Sequence, residues 1–484
     1  MIRRAASLLL LFSLTLAALA TEPVTEFIGV FLQNERIGLV TATTFDEPAG
    51  RRTVSTSRIH ALILGQEMRL EIHSESWSDR NGRLTKQVFL IESGGREQKV
   101  TAEFTKSVVK VVREADGRSD KKELPIPPGA LIVEDPTVAA GGEGVTPGDT
   151  RPGDMFVFYS FDPLALALLR GESEIKGQIE LEVAGVKLTV FWVRVTDPRG
   201  VTDIYTSPVD GGLILAKTIL GIELRPLTRE EALGNLDYVP SIDLATATRV
   251  RPDKPIENPR RLSKLRLRLE GGELPRLAGS AHQTVERRPD GSILLTVHPY
   301  RISAGEAASI DEAGKRHRGF LKSVTFIPSG DSEMTRLAIE ILDGETNSYR
   351  AAHRVARYVN RLIRPNATIA MLRDAREILK TKEGVCRDYS ILTATLLRAA
   401  GIPAKLVTGA VYADGAFYYH AWVEAWTGGG WLALDPTLGG GLVDATHIKF
   451  AEGDPEEAFV VFTLDGVKIR VLEAVGNSTG EQQR

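Results

Sequence analysis

The sequence predicts an α+β protein in which a large antiparallel β-rich N-terminal part precedes a domain of helices followed by antiparallel strands. Three observations lead to this prediction. From Val24 to about Arg225, apolar residues alternate with polar ones, which is typical of strands with one buried face. After Ser329 the apolar spacing becomes helical, and from Ala404 it alternates again. Helices followed by antiparallel strands indicate an α+β domain.

The first twenty residues have the features of a secretory signal. Arg3 and Arg4 precede an apolar run from Leu8 to Leu19, and Ala18 and Ala20 provide the small residues of a cleavage site. The apolar run is shorter than the ~20 residues of a membrane span, although an N-terminal anchor remains the alternative. We expect residues 1–20 to be a signal peptide and the mature protein to be exported, periplasmic or secreted, without a transmembrane segment.

Residues 21–240 are predicted to form a curved antiparallel sheet or a sandwich. In the segment 68–77, for example, apolar side chains fall on one face and polar side chains on the other. The Gly- and Pro-rich residues 139–154 are predicted to be an exposed loop, and DPLALALL, residues 162–169, a short helix. The region loosely resembles half-barrel envelope proteins that carry lipids or lipoproteins.

Two further β-rich pieces flank the helical domain. The segment 241–327 begins with a polar linker, and its stretch KLRLRLEG places leucines on one face and basic residues on the other. We interpret the basic face as solvated, with an anionic polymer as the alternative ligand. Residues 451–484 are predicted to form a hairpin that turns at Asp465 and Gly466, followed by a frayed tail.

Residues 328–450 form the predicted helical domain. The apolar spacing indicates helices in DSEMTRLAIEIL and SYRAAHRVARYVNRLI, a third helix that Thr368 caps and that extends to Leu379, and a fourth that begins at Cys386. Three strands follow, in AKLVTGAVY, FYYHAWVEAW and WLALDP.

Cys386 is the only cysteine of the chain, and His420 and Asp435 follow it. A thiol, an imidazole and a carboxylate are the set needed for thiolate catalysis: a nucleophile, a general base and a group that orients the base. An exported protein usually pairs its cysteines, so a single thiol indicates a function of its own. The helix N-terminus predicted at Cys386 favours the thiolate.

Strand register predicts that His420 and Asp435 meet. If Trp426 and Trp431 face each other across the glycine-rich turn between them, Trp422 opposes Asp435. His420 and Asp435 are then diagonal neighbours on one face, roughly 7 Å apart at the backbone. Trp422 shares that face, which makes it a candidate substrate-site residue. A register slip of one residue would separate the pair.

Two other roles are open to these residues. A buried, inert cysteine is one, and a zinc site built from Cys, His and Asp is the other. The zinc site fits poorly because Cys386 has no nearby second ligand at the usual spacing. We therefore expect no metal and no cofactor.

The motifs GVCRDYS, LLRAAGIPAKLVTG, HAWVE and LDPT, in the order Cys, His, Asp, resemble the transglutaminase-like (papain-like) superfamily in its exported bacterial form. The resemblance covers roughly 328–446. It implies a papain-like transglutaminase core in which Cys386 is the nucleophile, His420 the base and then the acid, and Asp435 the orienting group. It implies no calcium, and it assigns no side chain as oxyanion donor.

These observations lead to the hypothesis of an exported thiol-dependent amidase, protease or transglutaminase that attacks protein or peptide amides through an acyl-enzyme. Hydrolysis is preferred over transamidation because water needs no second binding site. The alternative is a non-catalytic envelope binding or scaffold protein whose β-rich half binds a ligand or lipid. The near balance of 60 basic and 63 acidic side chains predicts no nucleic-acid partner, and the oligomeric state does not follow from the sequence.

Overall fold

The structure is a computed structural model. It describes residues 22–134, 151–183, 185–234, 241–272, 279–300, 302–459 and 466–476, with the single residues 238, 274, 277 and 464. The predicted signal peptide, most of the predicted glycine-rich loop and most of the first arm of the C-terminal hairpin lie outside the described residues. The chain divides into two compact units, Met1–Ala247 with Thr368–Met371, and Thr248–Ala367 with Leu372–Arg484.

The strands described in the first unit form one antiparallel sheet. They are β1 (Val24–Leu32), β2 (Glu35–Glu47), β3 (Gly50–Ile63), β4 (Gln66–Asp79), β5 (Leu84–Ser93), β6 (Arg96–Phe104), β7 (Val108–Ala115), β8 (Arg118–Pro125), β9 (Met155–Asp162), β10 (Ala167–Val183), β11 (Val186–Asp197), β12 (Gly200–Thr206), β13 (Leu213–Lys217) and β14 (Ile222–Leu227). Strands β2 to β8 lie side by side in chain order on one side of β1. Strands β14 to β9 lie side by side in reverse chain order on its other side, so β14 pairs with β1. Two short helices follow, α1 (Arg229–Leu233) and α2 (Leu244–Ala247).

One face of this sheet is buried, as the alternating sequence predicts. On β4, Met68, Leu70 and Ile72 are buried, whereas the residues between them are partly or fully exposed. Val30 on β1 and Phe89 on β5 are likewise inaccessible to solvent, at 0% and 1%. Side chains therefore fill this part of the face, and the lipid-binding alternative stays a prediction.

The helix predicted in DPLALALL does not form. β9 ends at Asp162, four turn residues follow, and β10 begins at Ala167. The Asp162 carboxylate accepts hydrogen bonds from the backbone N–H groups of Leu164 and Ala165, both at 2.8 Å. Such local bonds compete with helix formation. The prediction of a helix is therefore wrong because the apolar run is divided between a turn and a strand.

The described residues of the second unit form two antiparallel sheets and a two-stranded parallel pair. Its strands are β15 (Leu262–Glu270), β16 (Gln283–Arg287), β17 (Ile293–Val297), β18 (Arg364–Pro365), β19 (Glu383–Gly384), β20 (Ala404–Ala413), β21 (Ala416–Trp426), β22 (Trp431–Asp435), β23 (Gly441–Leu442), β24 (His447–Gly453) and β25 (Lys468–Gly476). One sheet has the order β16-β17-β15-β25 and the other the order β23-β22-β21-β20-β24. The three strands predicted after Ala404 are confirmed as β20, β21 and β22.

In β15 the leucines of KLRLRLEG are fully buried. Its basic residues form ion pairs at the surface, Lys264 with Glu473 at 2.8 Å and Arg268 with Asp290 at 2.6 Å. The basic face is thus a solvated face with acidic partners, as interpreted from the sequence.

The helices of the second unit are α3 (Ile310–Ala313), α4 (Ser332–Leu342), α5 (Ser348–Leu362), α6 (Ala375–Thr381), α7 (Cys386–Ala399) and α8 (Pro455–Ala458). The helices predicted at α4, α5 and α7 are confirmed. The third is shorter than predicted because Asp374, not Thr368, caps it: the Asp374 carboxylate accepts from the N–H groups of Arg376 and Glu377.

Strands dominate the described residues and helices are few, so α+β describes the chain only loosely. The large antiparallel N-terminal sheet is as predicted. None of the helices in the described part of the chain has the length and apolar character needed to span a bilayer.

Candidate active site

Cys386 is the first residue of α7 and is partly exposed. The helix begins here because Val385 is extended, at φ −110° and ψ 175°, and its N–H donates to Asp388 Oδ2 at 2.9 Å. The first turn of a helix leaves backbone N–H groups without intrahelical acceptors, and its dipole favours a negative charge. The position therefore favours a thiolate.

The residues before and after Cys386 hold this helix start in place. A Cβ at Gly384 would lie 2.5 Å from Asp388 Cβ, so only glycine lets the Asp388 side chain fold back over the chain. Asp388 is fully buried and pairs with the equally buried Arg373 at 3.2 Å. Arg373 also donates to Thr381 Oγ1 and to the Glu383 carbonyl, at 3.0 and 2.6 Å. These bonds fix the geometry of the turn that presents the thiol.

The register of β21 and β22 is the one predicted from the sequence. Trp426 lies opposite Trp431, and Val423 lies opposite Leu434. The register places the side chains of His420 and Asp435 together: His420 Nε2 and Asp435 Oδ2 are 2.7 Å apart. Their side chains are only 8% and 3% exposed.

Gly409 of β20, which pairs with His420, leaves room for this arrangement. A Cβ at Gly409 would lie 1.8 Å from the Ile448 carbonyl oxygen and 2.8 Å from the Trp422 ring. Glycine is therefore required where β20 passes between β21 and β24. Trp422 is fully buried and stacks on His420, with ring centroids 6.3 Å apart. It packs behind the imidazole, and its contact with substrate stays a prediction.

Hydrogen bonds connect the three predicted residues in the order Cys386, His420, Asp435. The Cys386 thiol bonds with His420, and the Ala421 N–H also donates to the sulfur. Because Nε2 of His420 faces Asp435, its Nδ1 is the atom that faces the sulfur. The structure thus brings the predicted thiol, imidazole and carboxylate into one connected set.

The charges of these groups stabilise one another against the effect of burial. Burial opposes a charged imidazole, but Asp435 and the Cys386 thiolate outweigh it and raise the pKa of His420 to about 10. Burial opposes the thiolate, but the hydrogen bond and charge of His420, with a smaller effect of Arg387, lower the pKa of Cys386. Burial would raise the pKa of Asp435, yet His420 and His447 hold it far below its usual range. These interactions all act in the direction of a thiolate beside an imidazolium and an ionised carboxylate.

His447, the first residue of β24, was not singled out by the sequence analysis. Its Nε2 lies 3.2 Å from Asp435 Oδ2, and its Nδ1 lies 3.2 Å from Asp444 Oδ1. The signal in the sequence is the pair Asp444 and His447, three residues apart in VDATHIKF. That pair became informative only when β24 was placed beside β20.

A buried charge cluster lies on the same face of β21, four residues beyond His420, and was also missed. Glu424 accepts from Lys449 Nζ at 2.7 and 2.9 Å and from the Tyr300 hydroxyl, and Lys405 Nζ lies 3.2 Å away. Burial opposes the Glu424 charge, but the two lysines outweigh it and lower its pKa. The cluster joins β20, β21 and β24 beneath the site. The sign of this cluster in the sequence is Glu424, an acidic residue within the apolar run AWVEAW.

His420, Asp435 and His447 are also the residues that could hold a metal ion, since their donor atoms lie within 4.8 Å of one another. These atoms already face one another as hydrogen-bond partners. A cation would have to replace the bond between His420 Nε2 and Asp435. A neutral ring bound through Nε2 carries its proton on Nδ1, so His420 could no longer accept a proton from the thiol. The arrangement therefore suits proton transfer better than metal binding.

Comparison with known proteins agrees with this geometry. The core model of the transglutaminase-like superfamily matches residues 335–436, which include Cys386, His420 and Asp435. The resemblance predicted from the motifs is confirmed for this part of the chain. It supports an activity of the general cysteine protease or transglutaminase type.

Short stretches of the chain are similar to curated bacterial proteins. A protein-glutamine gamma-glutamyltransferase of Pseudomonas aeruginosa is 41% identical over 12% of this chain and 11% of its own length. An uncharacterized protein of Mycobacterium bovis is 36% identical over 16% of this chain and 29% of its own length. The chain spans less than a third of either relative. A crystal structure of a candidate cysteine protease from Cytophaga hutchinsonii is 18% identical, with a TM-score of 0.30, over 46% of this chain and 89% of its own.

Proposed function

With the transglutaminase-like core at 335–436 as the premise, we propose that this protein is a thiol-dependent enzyme that attacks protein or peptide amides through an acyl-enzyme. The observation that supports the proposal most directly is the hydrogen-bonded set of Cys386, His420 and Asp435 at the start of a helix. The charges in this set favour a thiolate beside an imidazolium, which is the reactive state of cysteine enzymes.

In the first step the Cys386 thiolate attacks the carbonyl carbon of an amide and forms a C–S bond. Negative charge develops on the carbonyl oxygen, which backbone N–H groups at the start of α7 stabilise. His420 then donates its proton to the amide nitrogen, the C–N bond breaks, and ammonia or an amine leaves. A thioester on Cys386 remains.

In the second step water attacks the thioester, and His420 accepts its proton. The C–S bond breaks, the carboxylic acid product leaves, and the thiolate–imidazolium pair is restored. Asp435 keeps its negative charge throughout and orients the ring. A primary amine in place of water would give transamidation. We propose hydrolysis as the default because it needs no second binding site.

A glutamine side-chain amide is the first substrate to test. The Pseudomonas relative carries the name protein-glutamine gamma-glutamyltransferase, although the similarity covers only 11% of that protein. We propose incubating the full chain with a glutamine-containing peptide, with and without a primary amine, and measuring ammonia release and the mass of the protein. An acyl adduct on Cys386 that is absent from Cys386→Ala supports the proposal.

The activated thiol can be tested without knowing the substrate. The rate of Cys386 alkylation by iodoacetamide, measured from pH 5 to 10, should stay high below the ordinary thiol pKa and should fall in His420→Ala. His73→Ala, which replaces a 44% exposed histidine on β4, is the matched control and should change nothing. If Cys386 titrates like a free thiol and His420→Ala has no effect, the non-catalytic alternative is favoured.

Export is part of the proposal and rests on the first twenty residues alone. The test is expression of the full chain in a bacterial host, followed by mass spectrometry of the N-terminus. Processing after Ala20 supports export to the periplasm or medium. An intact Met1 on protein in the cytoplasm contradicts it. We propose separately that the first unit serves the exported protein as a docking module.

A further inference from the structure

His447 contacts the same carboxylate oxygen as the proposed catalytic base. Asp435 Oδ2 lies 2.7 Å from His420 Nε2 and 3.2 Å from His447 Nε2. The His447 side chain is only 2% exposed, and its ring meets the edge of the Trp422 ring at 5.3 Å. Its hydrogen bond to the three proposed catalytic residues is the one with Asp435.

The other side of the His447 ring is held by a second carboxylate. Asp444 Oδ1 lies 3.2 Å from His447 Nδ1 and accepts from the Thr446 N–H at 2.7 Å. Asp444 Oδ2 accepts from Arg260 Nη1 at 2.7 Å. Burial opposes the charge on Asp444, but His447 and Arg260 outweigh it and hold the pKa of Asp444 far below its usual range. The ring is thus fixed between two ionised carboxylates.

Both oxygens of the Asp435 carboxylate therefore have two hydrogen-bond partners each. Its Oδ1 accepts from the N–H groups of Thr437 and Leu438, at 2.8 and 3.1 Å. Its Oδ2 faces His420 and His447. A carboxylate oxygen only accepts, so the bond with His447 requires a proton on His447 Nε2. This bond prevents the carboxylate from rotating away from His420.

We propose that His447 is a positioning residue for the reaction, which with Asp444 aligns Asp435 Oδ2 with the imidazole of His420. This inference rests on the proposed function and extends it from three residues to five. Its consequence is that the donor at the Nε2 position of His447, rather than the bulk of the ring, sets the reactivity of Cys386. Groups that orient a metal ligand by a hydrogen bond typically change metal affinity or activity by about 10–100-fold when they are removed, and we expect an effect of that order here.

The geometry allows the donor and the bulk to be separated by two substitutions. In His447→Gln the amide nitrogen reaches the place of Nε2 and can still donate to Asp435. In His447→Asn the amide reaches only the place of Nδ1, so the contact with Asp435 is lost while a contact with Asp444 remains. His298→Asn is the matched control, because the His298 ring bonds the Ser263 carbonyl and not Asp435.

The readout is the iodoacetamide alkylation rate of Cys386 in the full chain across pH 5 to 10, with thermal unfolding as the check on folding. We expect the rate at pH 7 to fall about 10-fold in His447→Asn and to stay within about 3-fold of wild type in His447→Gln. The titratable groups within electrostatic reach of His447 are Asp435 on β22, His420 on β21, Asp444 before β24 and His282 before β16, with Arg260 acting through Asp444.

Equal rates and pH profiles in wild type and a folded His447→Asn would overturn the inference, as would equal losses in the Asn and Gln variants. If His447→Asn does not fold, Asp444→Ala tests the same contacts, and it should lower the alkylation rate at pH 7 by a smaller factor. A failure of the proposed function would give a different result. The wild-type thiol would then titrate like free cysteine, and His420→Ala would leave the alkylation rate unchanged.

Discussion

Asp435→Asn is a sharp test of the candidate site because it changes charge and hydrogen bonding with almost no change in shape. Oδ1 of Asp435 accepts from the backbone N–H groups of Thr437 and Leu438. An asparagine must keep its oxygen at that position, since its NH₂ group cannot accept a bond. The amide N–H groups then take the place of Oδ2 and point at Nε2 of His420. They can bond to His420 only if that nitrogen carries no proton.

The substitution therefore prevents His420 from being an imidazolium, because a charged ring would place an N–H against an N–H. Cys386 loses its ion-pair partner. An unassisted cysteine, with a pKa near ~8.5, is about 3% thiolate at pH 7, and burial of Cys386 lowers that fraction further. If the wild-type thiol is mostly ionised at pH 7, we therefore expect the alkylation rate to fall by about 30-fold or more. Turnover also loses the oriented proton donor. The corresponding change in a serine triad costs about 10⁴-fold, which we take as the upper bound for kcat.

The assay is iodoacetamide alkylation at pH 7 beside hydrolysis of the glutamine-containing peptide, with unfolding in urea to check the fold. Asp414→Asn makes the same chemical change in the exposed turn between β20 and β21 and should leave both rates unchanged. If Asp435→Asn folds normally and keeps both full rates, Asp435 is only a turn residue and the orienting group lies elsewhere.

Three more predictions follow from the same geometry. Gly409→Ala should lower the free energy of unfolding by about 1–3 kcal/mol in urea titrations, because its Cβ would meet the Ile448 carbonyl. Arg373→Ala should lower it by about 3–5 kcal/mol, because it leaves Asp388 buried without its partner. The pH profile of turnover should be bell-shaped. Its acid limb should lie below the ordinary thiol range, and its alkaline limb near pH 10, because the charged form of His420 is lost as pH rises through its raised pKa.

The two stability predictions have matched controls within the chain. Gly319→Ala adds a methyl group where no atom lies within 4 Å, so it should leave stability nearly unchanged. Arg364 is 76% exposed in its pair with Glu383, so Arg364→Ala should cost less than about 1 kcal/mol. A Gly409→Ala protein as stable as wild type would contradict the close packing of β20 and β24. An alkaline limb unchanged in His420→Ala would assign that limb to another group.

Local patterns in the sequence determined the features that depend on neighbouring residues. The alternation of apolar and polar residues in β4 predicted which face of that strand is buried. The helical spacing of apolar residues predicted α4 and α5. The two tryptophans around the turn fixed the register of β21 and β22, which places His420 beside Asp435. These predictions succeed because side-chain direction follows directly from backbone period. The DPLALALL helix prediction failed because hydrogen bonds that a single aspartate accepts from the backbone outweighed the apolar pattern.

The tertiary structure alone decided which distant residues complete the site. His447 reaches Asp435 only because β24 pairs with β20, and Arg373 reaches Asp388 from a separate segment before α6. No period or turn links these residues, and a buried polar group is stabilised only where a partner meets it at hydrogen-bond distance. A sequence read along the chain shows which side chains can form such contacts. The packing of the strands and helices determines which of them do, because burial makes each unpartnered charge costly and so selects the paired arrangement.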